Sequence, residues 1–163
     1  MFTQGSTAVH NPGDFYETSA EAAKRLERRA LLVGASSSER QTEDLLWVPY
    51  IPYSHVFPRA AVIVHQGGSG TTGDALRAGR PMLVVPYGWD QPDNAMRIER
   101  LGTGLHLPRK RYTVDAATAA IKRLLDEPQF AAISAEIGSR VSEEDAVSSA
   151  CNAIDALLIR NTC

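Results

Sequence analysis

The segment with the greatest potential for chemistry is rich in glycine and hydroxyl side chains. Residues 65–73 read His-Gln-Gly-Gly-Ser-Gly-Thr-Thr-Gly and follow an apolar run at residues 60–64 that is typical of a buried parallel strand. Glycines let a backbone approach a ligand closely, and the free N–H groups at the start of a helix attract an anion. Ser69, Thr71 and Thr72 add hydroxyl donors. The segment therefore predicts a phosphate or diphosphate site, with a tight strand–helix turn that binds no ligand as the alternative.

The same segment contains a dinucleotide-binding pattern. Gly68, Gly70 and Gly73 fit G-x-G-x-x-G, and Asp90 follows about 20 residues later, where that pattern has an acidic residue. The pattern belongs on the first strand of its unit, however, and three predicted strands precede this one. Asp90 also falls in a turn after residues 86–89 rather than at the end of a strand. A dinucleotide-dependent oxidoreductase domain stays open as an alternative, whereas a Walker A loop is excluded because no lysine precedes the threonines.

Two further groups of side chains could contribute to a site. Asp90 and Gln91 place a carboxylate beside an amide, and such a pair can bind the hydroxyls of a sugar by accepting and donating hydrogen bonds. His65 ends the buried strand, and a histidine near a diphosphate is electrostatically reasonable. Taken singly, the histidine would be a structural hydrogen-bonding residue and the Asp-Gln pair part of a turn. Their occurrence together favours a functional role.

Strands and helices alternate along the chain, which predicts an α/β fold with a Rossmann-like, doubly wound parallel sheet of about six strands. Strands are predicted at residues 1–4, 30–33, 45–48, 60–64, 82–85 and 104–107, and helices at 14–28, 72–78, 91–101, 114–126, 129–141 and 143–158. Residues 35–41 are predicted to be a serine-rich loop, and Ser142 to cap the last helix. The loops after the first, fourth and fifth strands should form the ligand-binding edge.

Composition limits the classes of function. The 163 residues, 44% of them hydrophobic and 22% charged, suit one soluble globular domain. A net charge of −2 gives no reason to expect nucleic-acid binding. The sequence has no apolar run near the ~20 residues of a membrane span and no signal-peptide pattern at its start. The two cysteines, Cys151 and Cys163, are interpreted as free thiols, which predicts a cytoplasmic location.

Three segments taken in order, residues 51–72, 75–81 and 86–95, resemble the C-terminal domain of GT-B glycosyltransferases of the UDP-glycosyltransferase superfamily. The likeness is greatest to bacterial antibiotic and sterol glycosyltransferases. It implies that residues 1–163 are a single nucleotide-sugar-binding domain, one half of a GT-B fold, without the N-terminal acceptor-binding domain. The enzyme would transfer a hexose from a UDP- or dTDP-sugar, with inversion, to a small lipophilic or natural-product acceptor. A natural subunit of a split glycosyltransferase, working with a partner chain, is the other possibility.

The resemblance also implies roles for individual residues. The residues that would contact the diphosphate are His65, Gly67, Gly68, Ser69, Gly70, Thr71 and Thr72. Asp90 and Gln91 would bind the sugar, and the nucleoside would contact Tyr50, Ile51, Pro52 and Tyr53. Gly5 and Ser6 would line the cleft. Gln66 stands where relatives often have a second histidine, and Trp47 is interpreted as a core residue rather than a base-stacking one. No cofactor and no metal are expected. The catalytic base is expected in the N-terminal domain, so this chain alone should be inactive.

Overall fold

A computed structural model describes residues 1–5, 11–34 and 37–160, with side chains to residue 158. Ser6 and Cys163 therefore lie outside the described residues. One sheet contains seven strands: β1 (Phe2–Thr3), β2 (Ala30–Val33), β3 (Arg40–Gln41), β4 (Leu45–Val48), β5 (Ile63–His65), β6 (Met82–Val84) and β7 (Gly104–His106). Their order is β3-β4-β2-β1-β5-β6-β7, and every neighbouring pair is parallel except β3 and β4.

Helices cover both faces of this sheet. They are α1 (Phe15–Arg25), α2 (Tyr53–Val56), α3 (Ser69–Arg77), α4 (Gln91–Leu101), α5 (Val114–Asp126), α6 (Pro128–Ser142) and α7 (Ala146–Arg160), with short 3-10 turns at Phe57–Arg59 and Arg109–Arg111. None of the described helices combines the length and apolar character that a membrane crossing requires. The predicted doubly wound α/β fold is confirmed.

The central strands have no polar face because both faces are buried. Along β5 and its flanks, Val62 and Val64 pack with α1 and α5 residues in one cluster, whereas Ile63 packs with Ala75 of α3 and Ala95 of α4 in the other. Successive side chains of a strand point to opposite faces. A continuous apolar run is therefore what a central parallel strand requires.

The order in which strands are added to the sheet reverses at β1. From β1 it adds β2 and then β4 on one side, and it returns to add β5, β6 and β7 on the other. Ligands of such sheets bind outside the carboxyl ends of the strands at this switch point, where the neighbouring loops diverge. The three loops predicted to form the binding edge follow β1, β5 and β6, which are adjacent in the sheet.

Several local predictions differ from the structure. The predicted serine-rich loop includes strand β3, which pairs Arg40 with Trp47 and holds the Arg40 guanidinium 4.1 Å from the centre of the indole ring. Helix α3 starts at Ser69 rather than Thr72, because Gly68 is extended (φ −64°, ψ 145°) and lets the helix begin directly after it.

The predicted cap of the last helix is also wrong. Ser142 lies inside α6, where its hydroxyl donates to the Ser139 carbonyl at 2.7 Å. Asp145 accepts hydrogen bonds from the backbone N–H of Ser148 (3.0 Å) and from its hydroxyl (2.6 Å), so α7 begins three residues later than predicted. An aspartate that accepts from the N–H three residues ahead makes an ordinary N-cap contact.

Candidate functional site

A cleft of about 310 Å³ opens at the carboxyl ends of β5 and β6. We call it the turn cleft; its lining residues are Gln66, Gly68, Ser69, Gly70, Thr71, Trp89, Asp90 and Gln91. A larger hollow, of about 850 Å³, lies at the opposite edge of the sheet, beside Met1, Ala30 and Leu45. The turn cleft is the stronger candidate, because it lies at the edge where parallel sheets bind ligands and is lined by the predicted glycine segment.

Gly67 fixes the path of the chain between β5 and α3. Its φ is +90°, and a Cβ atom there would lie 2.7 Å from Cγ1 of Val84. Its N–H donates to Nδ1 of His65 at 3.1 Å, and its carbonyl accepts from the Asn94 side chain at 2.9 Å. The backbone at Gly67 is thus held on both sides, and only glycine fits the position.

The N-terminus of α3 forms the floor of the turn cleft. The first backbone hydrogen bond within this stretch runs from Thr72 N–H to the Gly68 carbonyl at 2.9 Å. The N–H groups of Ser69, Gly70 and Thr71 therefore lie at the open end of the helix, where the helix dipole favours negative charge. A Cβ atom on Gly70 would meet no protein atom within 4 Å, so the space beside this residue is open to a ligand.

His65 is fully buried at the end of β5 and does not line the turn cleft. Burial lowers the pKa of its imidazole to about 4, so the ring is neutral near pH 7. Because Nδ1 accepts a hydrogen bond from Gly67, the ring proton belongs on Nε2, and Nε2 has no partner among the residues that the structure describes. The residue can offer an N–H hydrogen bond but no positive charge.

Gln66 is a cleft residue that the sequence prediction of the site omits. Its side chain is buried and lies against Gly5, where a Cβ atom would be 2.2 Å from the Gln66 amide nitrogen. Gly5, a predicted cleft residue, thus contacts the turn cleft through Gln66. The signal was available in the sequence, because Gln66 is part of the glycine segment and directly follows a buried strand.

Several buried polar atoms at this edge have no hydrogen-bond partner within the described residues. They are Oε1 of Gln4, Nε2 of His65, Oε1 of Gln66 and Oγ1 of Thr72. Buried polar groups in folded proteins are nearly always paired with protein or ordered water, so these atoms are available to water or to a ligand. Thr71, also predicted to contact phosphate, lines the cleft beside them.

Asp90 is held in place by two side chains. Its Oδ2 accepts hydrogen bonds from the Ser69 hydroxyl at 2.8 Å and from the Asn94 amide at 2.9 Å. The Ser69 hydrogen bond is the largest cause of a lowered Asp90 pKa, and the residue's own backbone and Asn94 lower it further. Since the Ser69 hydroxyl donates to Asp90, its backbone N–H is the group that α3 offers to an anion. Asn94 is a second omitted residue; its position one turn after Asp90 was the available signal.

Gln91 shapes the loop between β6 and α4. Its buried Oε1 accepts from the backbone N–H of Tyr87 at 2.8 Å and of Gly88 at 3.3 Å. Tyr87 in turn links this loop to the one after β1, since its hydroxyl bonds to the Gln4 side-chain amide. The loops on both sides of the switch point are therefore connected by hydrogen bonds.

The predicted nucleoside residues lie apart from the turn cleft. Residues 49–52 follow β4, and β2 and β1 separate this strand from β5. Tyr50 is 77% exposed. Tyr53 instead bonds through its hydroxyl to Thr3 Oγ1 at 2.7 Å and stacks on Phe57. Trp47 is only 9% exposed and belongs to the core, as interpreted.

Charge in the turn cleft comes from one residue. Asp90 is the only ionisable side chain among the described lining residues, none of which is lysine or arginine. The described residues also contain no cluster of three His, Cys, Asp or Glu side chains that could bind a metal. What the cleft offers an anion is therefore a set of neutral N–H donors and a helix dipole.

The sequence is similar to those of glycosyltransferases. Residues 36–154 match the family described as "Erythromycin biosynthesis protein CIII-like, C-terminal domain". The chain is 38% identical over 157 residues to O-mycaminosyltylonolide 6-deoxyallosyltransferase of Streptomyces fradiae, covering 95% of this chain and 37% of that enzyme. Its curated relatives include sterol glucosyltransferases as well as antibiotic glycosyltransferases.

Solved structures of glycosyltransferases have the same fold as this chain. The forosaminyltransferase SpnP of spinosyn synthesis superposes with a TM-score of 0.83 at 26% identity, over 97% of this chain and 42% of that one. The glycosyltransferase VinC, solved in complex with dTDP, superposes with a TM-score of 0.78 at 24% identity, over 98% of this chain and 41% of that one. The chain spans about two fifths of these proteins, which are GT-B glycosyltransferases.

Proposed function

We propose a donor-binding function from the premise that this chain belongs to the family of erythromycin biosynthesis protein CIII-like C-terminal domains, which are domains of glycosyltransferases. The chain would bind a nucleotide diphosphate sugar, with UDP or dTDP as the nucleotide. The VinC complex with dTDP supports a nucleotide of this type. Family membership gives no support to the alternative of a dinucleotide-dependent oxidoreductase.

The observation that carries the proposal is the open end of α3. The N–H groups of Ser69, Gly70 and Thr71 face a cleft in which Gly70 leaves room for a ligand. A diphosphate there would accept these hydrogen bonds and gain from the helix dipole. Nε2 of His65, which is buried and has no partner within the described residues, would supply a further neutral donor if the diphosphate reaches past the residues that line the cleft. Gly67 and Gly68 keep the backbone close, and Thr72 contributes a buried hydroxyl that no other described residue engages.

The sugar would lie toward Asp90 and Gln91. Ser69 and Asn94 both bind Oδ2 of Asp90, so the carboxylate is oriented before any ligand arrives. Its other oxygen would accept hydrogen bonds from sugar hydroxyls. Oε1 of Gln91 is already engaged by the loop backbone, so its NH2 group is the one that would meet the sugar. The nucleoside would lie beyond, toward Tyr50, Ile51, Pro52 and Tyr53, and Gly5 and Ser6 would border the cleft.

In this proposal the chain assists transfer by stabilising the departing diphosphate. Negative charge grows on the leaving group as the glycosidic bond breaks, and preorganised N–H donors stabilise it. The base that deprotonates the acceptor, needed for direct displacement with inversion, would come from an acceptor-binding domain or a partner chain. The acceptor would be a small lipophilic or natural product, and the reaction would take place in the cytoplasm; the exposed free thiol of Cys151 is consistent with that location.

A matched pair of glycine variants tests the proposal. A Cβ atom at Gly70 would enter the space assigned to the diphosphate, whereas Gly73 lies about one turn further along α3; neither Cβ would touch protein within 4 Å. Calorimetric titration with dTDP, UDP and their glucose conjugates should show binding to the unsubstituted chain and to Gly73→Ala. Binding to Gly70→Ala should be at least tenfold weaker. Equal affinity for the two variants would place the diphosphate elsewhere, and titration with NAD should give no binding signal.

A further inference from the structure

Trp89 occupies a backbone position that normally requires glycine. Its φ is +56°, and the next residue, Asp90, has φ −76° and ψ −14°. The turn is closed by a hydrogen bond from Gln91 N–H to the Gly88 carbonyl at 3.1 Å. A positive φ at the first central residue followed by a negative φ at the second is the pattern of a type II′ turn, whose first central residue is usually glycine because a Cβ atom is disfavoured there. A bulky side chain with this φ is an outlier that calls for an explanation.

Contacts within the chain hold this strained conformation but do not use the indole ring. Gln91 binds the backbone before Trp89, and Ser69 and Asn94 bind the carboxylate after it. The Trp89 side chain itself is 79% exposed, the highest exposure among the large hydrophobic residues described. An aromatic side chain stabilises a fold mainly through burial of its ring. The Trp89 ring is exposed and therefore contributes little to the stability of this chain. An exposed and strained tryptophan is explained if it serves a ligand.

The place of the ring identifies that ligand. Trp89 lines the turn cleft together with Asp90 and the N-terminus of α3. A hexose whose hydroxyls bind the Asp90 carboxylate still has a face of C–H groups, and an aromatic ring is the side chain that packs best on such a face. We propose that Trp89 is the wall of the donor-sugar subsite and stacks on the C–H face of the hexose. This inference rests on the proposed donor function and adds a specificity-determining residue to it.

Tryptophan fluorescence can test the contact directly. The sequence has two tryptophans, and Trp47 is buried whereas Trp89 is exposed. In a Trp47→Phe variant the tryptophan emission comes from Trp89 alone. Saturating dTDP-glucose should lower the acrylamide quenching constant of Trp89 at least twofold, whereas saturating dTDP should leave it nearly unchanged. If the acrylamide quenching constant of Trp89 is the same with dTDP-glucose as with dTDP, the inference is overturned, because the sugar would then not cover the ring.

Affinity measurements on the chain with Trp47 intact give a second readout. Because the stacking contact is lost, Trp89→Gly should weaken dTDP-glucose binding by up to about tenfold. The affinity for dTDP should stay within twofold, and Trp89→Phe should retain most of the affinity for the sugar nucleotide. Trp89→Gly should also raise the melting temperature by roughly 2–4 °C, because glycine adopts a positive φ without the strain that a Cβ atom causes.

The outcomes separate the two proposals. If the unsubstituted chain binds neither dTDP nor dTDP-glucose in calorimetry, the donor-binding function itself is wrong. If it binds both, but Trp89→Gly weakens both to the same extent, then Trp89 only shapes the loop and the sugar-subsite inference fails while the function stands.

Discussion

At the scale of single residues, the buried histidine makes stability depend on pH. The imidazole of His65 has a pKa of about 4 in the folded chain and an ordinary value of 6.5 when unfolded. Between these values the unfolded state binds the proton and the folded state does not. Stability contributed by the neutral ring is therefore present above pH 6.5 and is lost as the pH falls toward 4, by up to about 1.4 kcal/mol per pH unit.

We expect His65→Asn to flatten this dependence. The free energy of unfolding, measured in urea at pH 5 and pH 7, should differ less between the two pH values in the variant than in the unsubstituted chain. The matched control is His55→Asn, since His55 is exposed on α2. Carboxylates titrate in the same range, but they do so in all three proteins. An unchanged pH dependence in His65→Asn would mean that the imidazole is not buried as described.

Ser69 offers a test of the contacts around Asp90. Because the Ser69 hydroxyl is the largest cause of the lowered Asp90 pKa, Ser69→Ala should raise that pKa toward its ordinary value. NMR titration of the Asp90 carboxylate would measure the shift. Ser54→Ala, at an exposed serine of α2, serves as the control and should leave the titration unchanged. A pKa that stays low in Ser69→Ala would assign the effect to Asn94 and the backbone.

At this scale the sequence reveals residues that act through their own chemistry. His65, Asp90 and the glycines could be singled out because their side chains, or lack of one, suggest a use. The positions of Gln66 and Asn94 gave a signal in the sequence, but their roles could not be assigned from it, because an amide becomes informative only through its partners: Gly5 for the former, and Asp90 and Gly67 for the latter. The strain at Trp89 depends on its backbone angle φ, and that angle cannot be predicted from the type of residue.

At the scale of elements, the turn between β5 and α3 should tolerate change very unevenly. Gly67→Ala places a Cβ atom 2.7 Å from Val84 at a φ of +90°, so we expect it to lower the free energy of unfolding by about 1–3 kcal/mol. Gly73→Ala, inside α3 and free of contacts, should raise it by about 0.5–1 kcal/mol. Urea unfolding of both variants measures this, and destabilisation of equal size would contradict the described geometry.

Element bounds could be predicted where local signals decide them. Helix α4 has the predicted bounds because Pro92 stands in its first turn and Gly102 takes a left-handed conformation after it. Thr113 caps α5 in the same local manner, by accepting from the Ala116 N–H. Strand β3 could not be predicted, because it is two residues long and depends on pairing with β4, where Arg40 packs on Trp47. The first turn of α3 was missed because glycine and serine have low helix propensity.

At the scale of the whole molecule, we expect the 163-residue chain to bind a donor sugar nucleotide but transfer nothing. Asp90 is the only ionisable group among the described residues of the turn cleft, and two hydrogen bonds together with a lowered pKa make it a poor base. Mass spectrometry of small lipophilic acceptors incubated with UDP- and dTDP-glucose would detect product. Calorimetry on the same sample serves as the control for donor binding. Glycosylated product formed by the purified chain would contradict this expectation.

Strand β3 has a consequence for how copies of this chain behave together. An uncovered strand at the edge of a sheet can pair with the edge of another molecule, which is the first step toward fibrils. Here the edge strand is only two residues long, and the side chains of Arg40 and Gln41 are both exposed. The charged guanidinium of Arg40 lies over the indole ring of Trp47 in the neighbouring strand. Both shortness and charge discourage pairing between molecules. We therefore expect Arg40 to discourage aggregation at this edge in concentrated solutions of the protein, a role unrelated to sugar or phosphate.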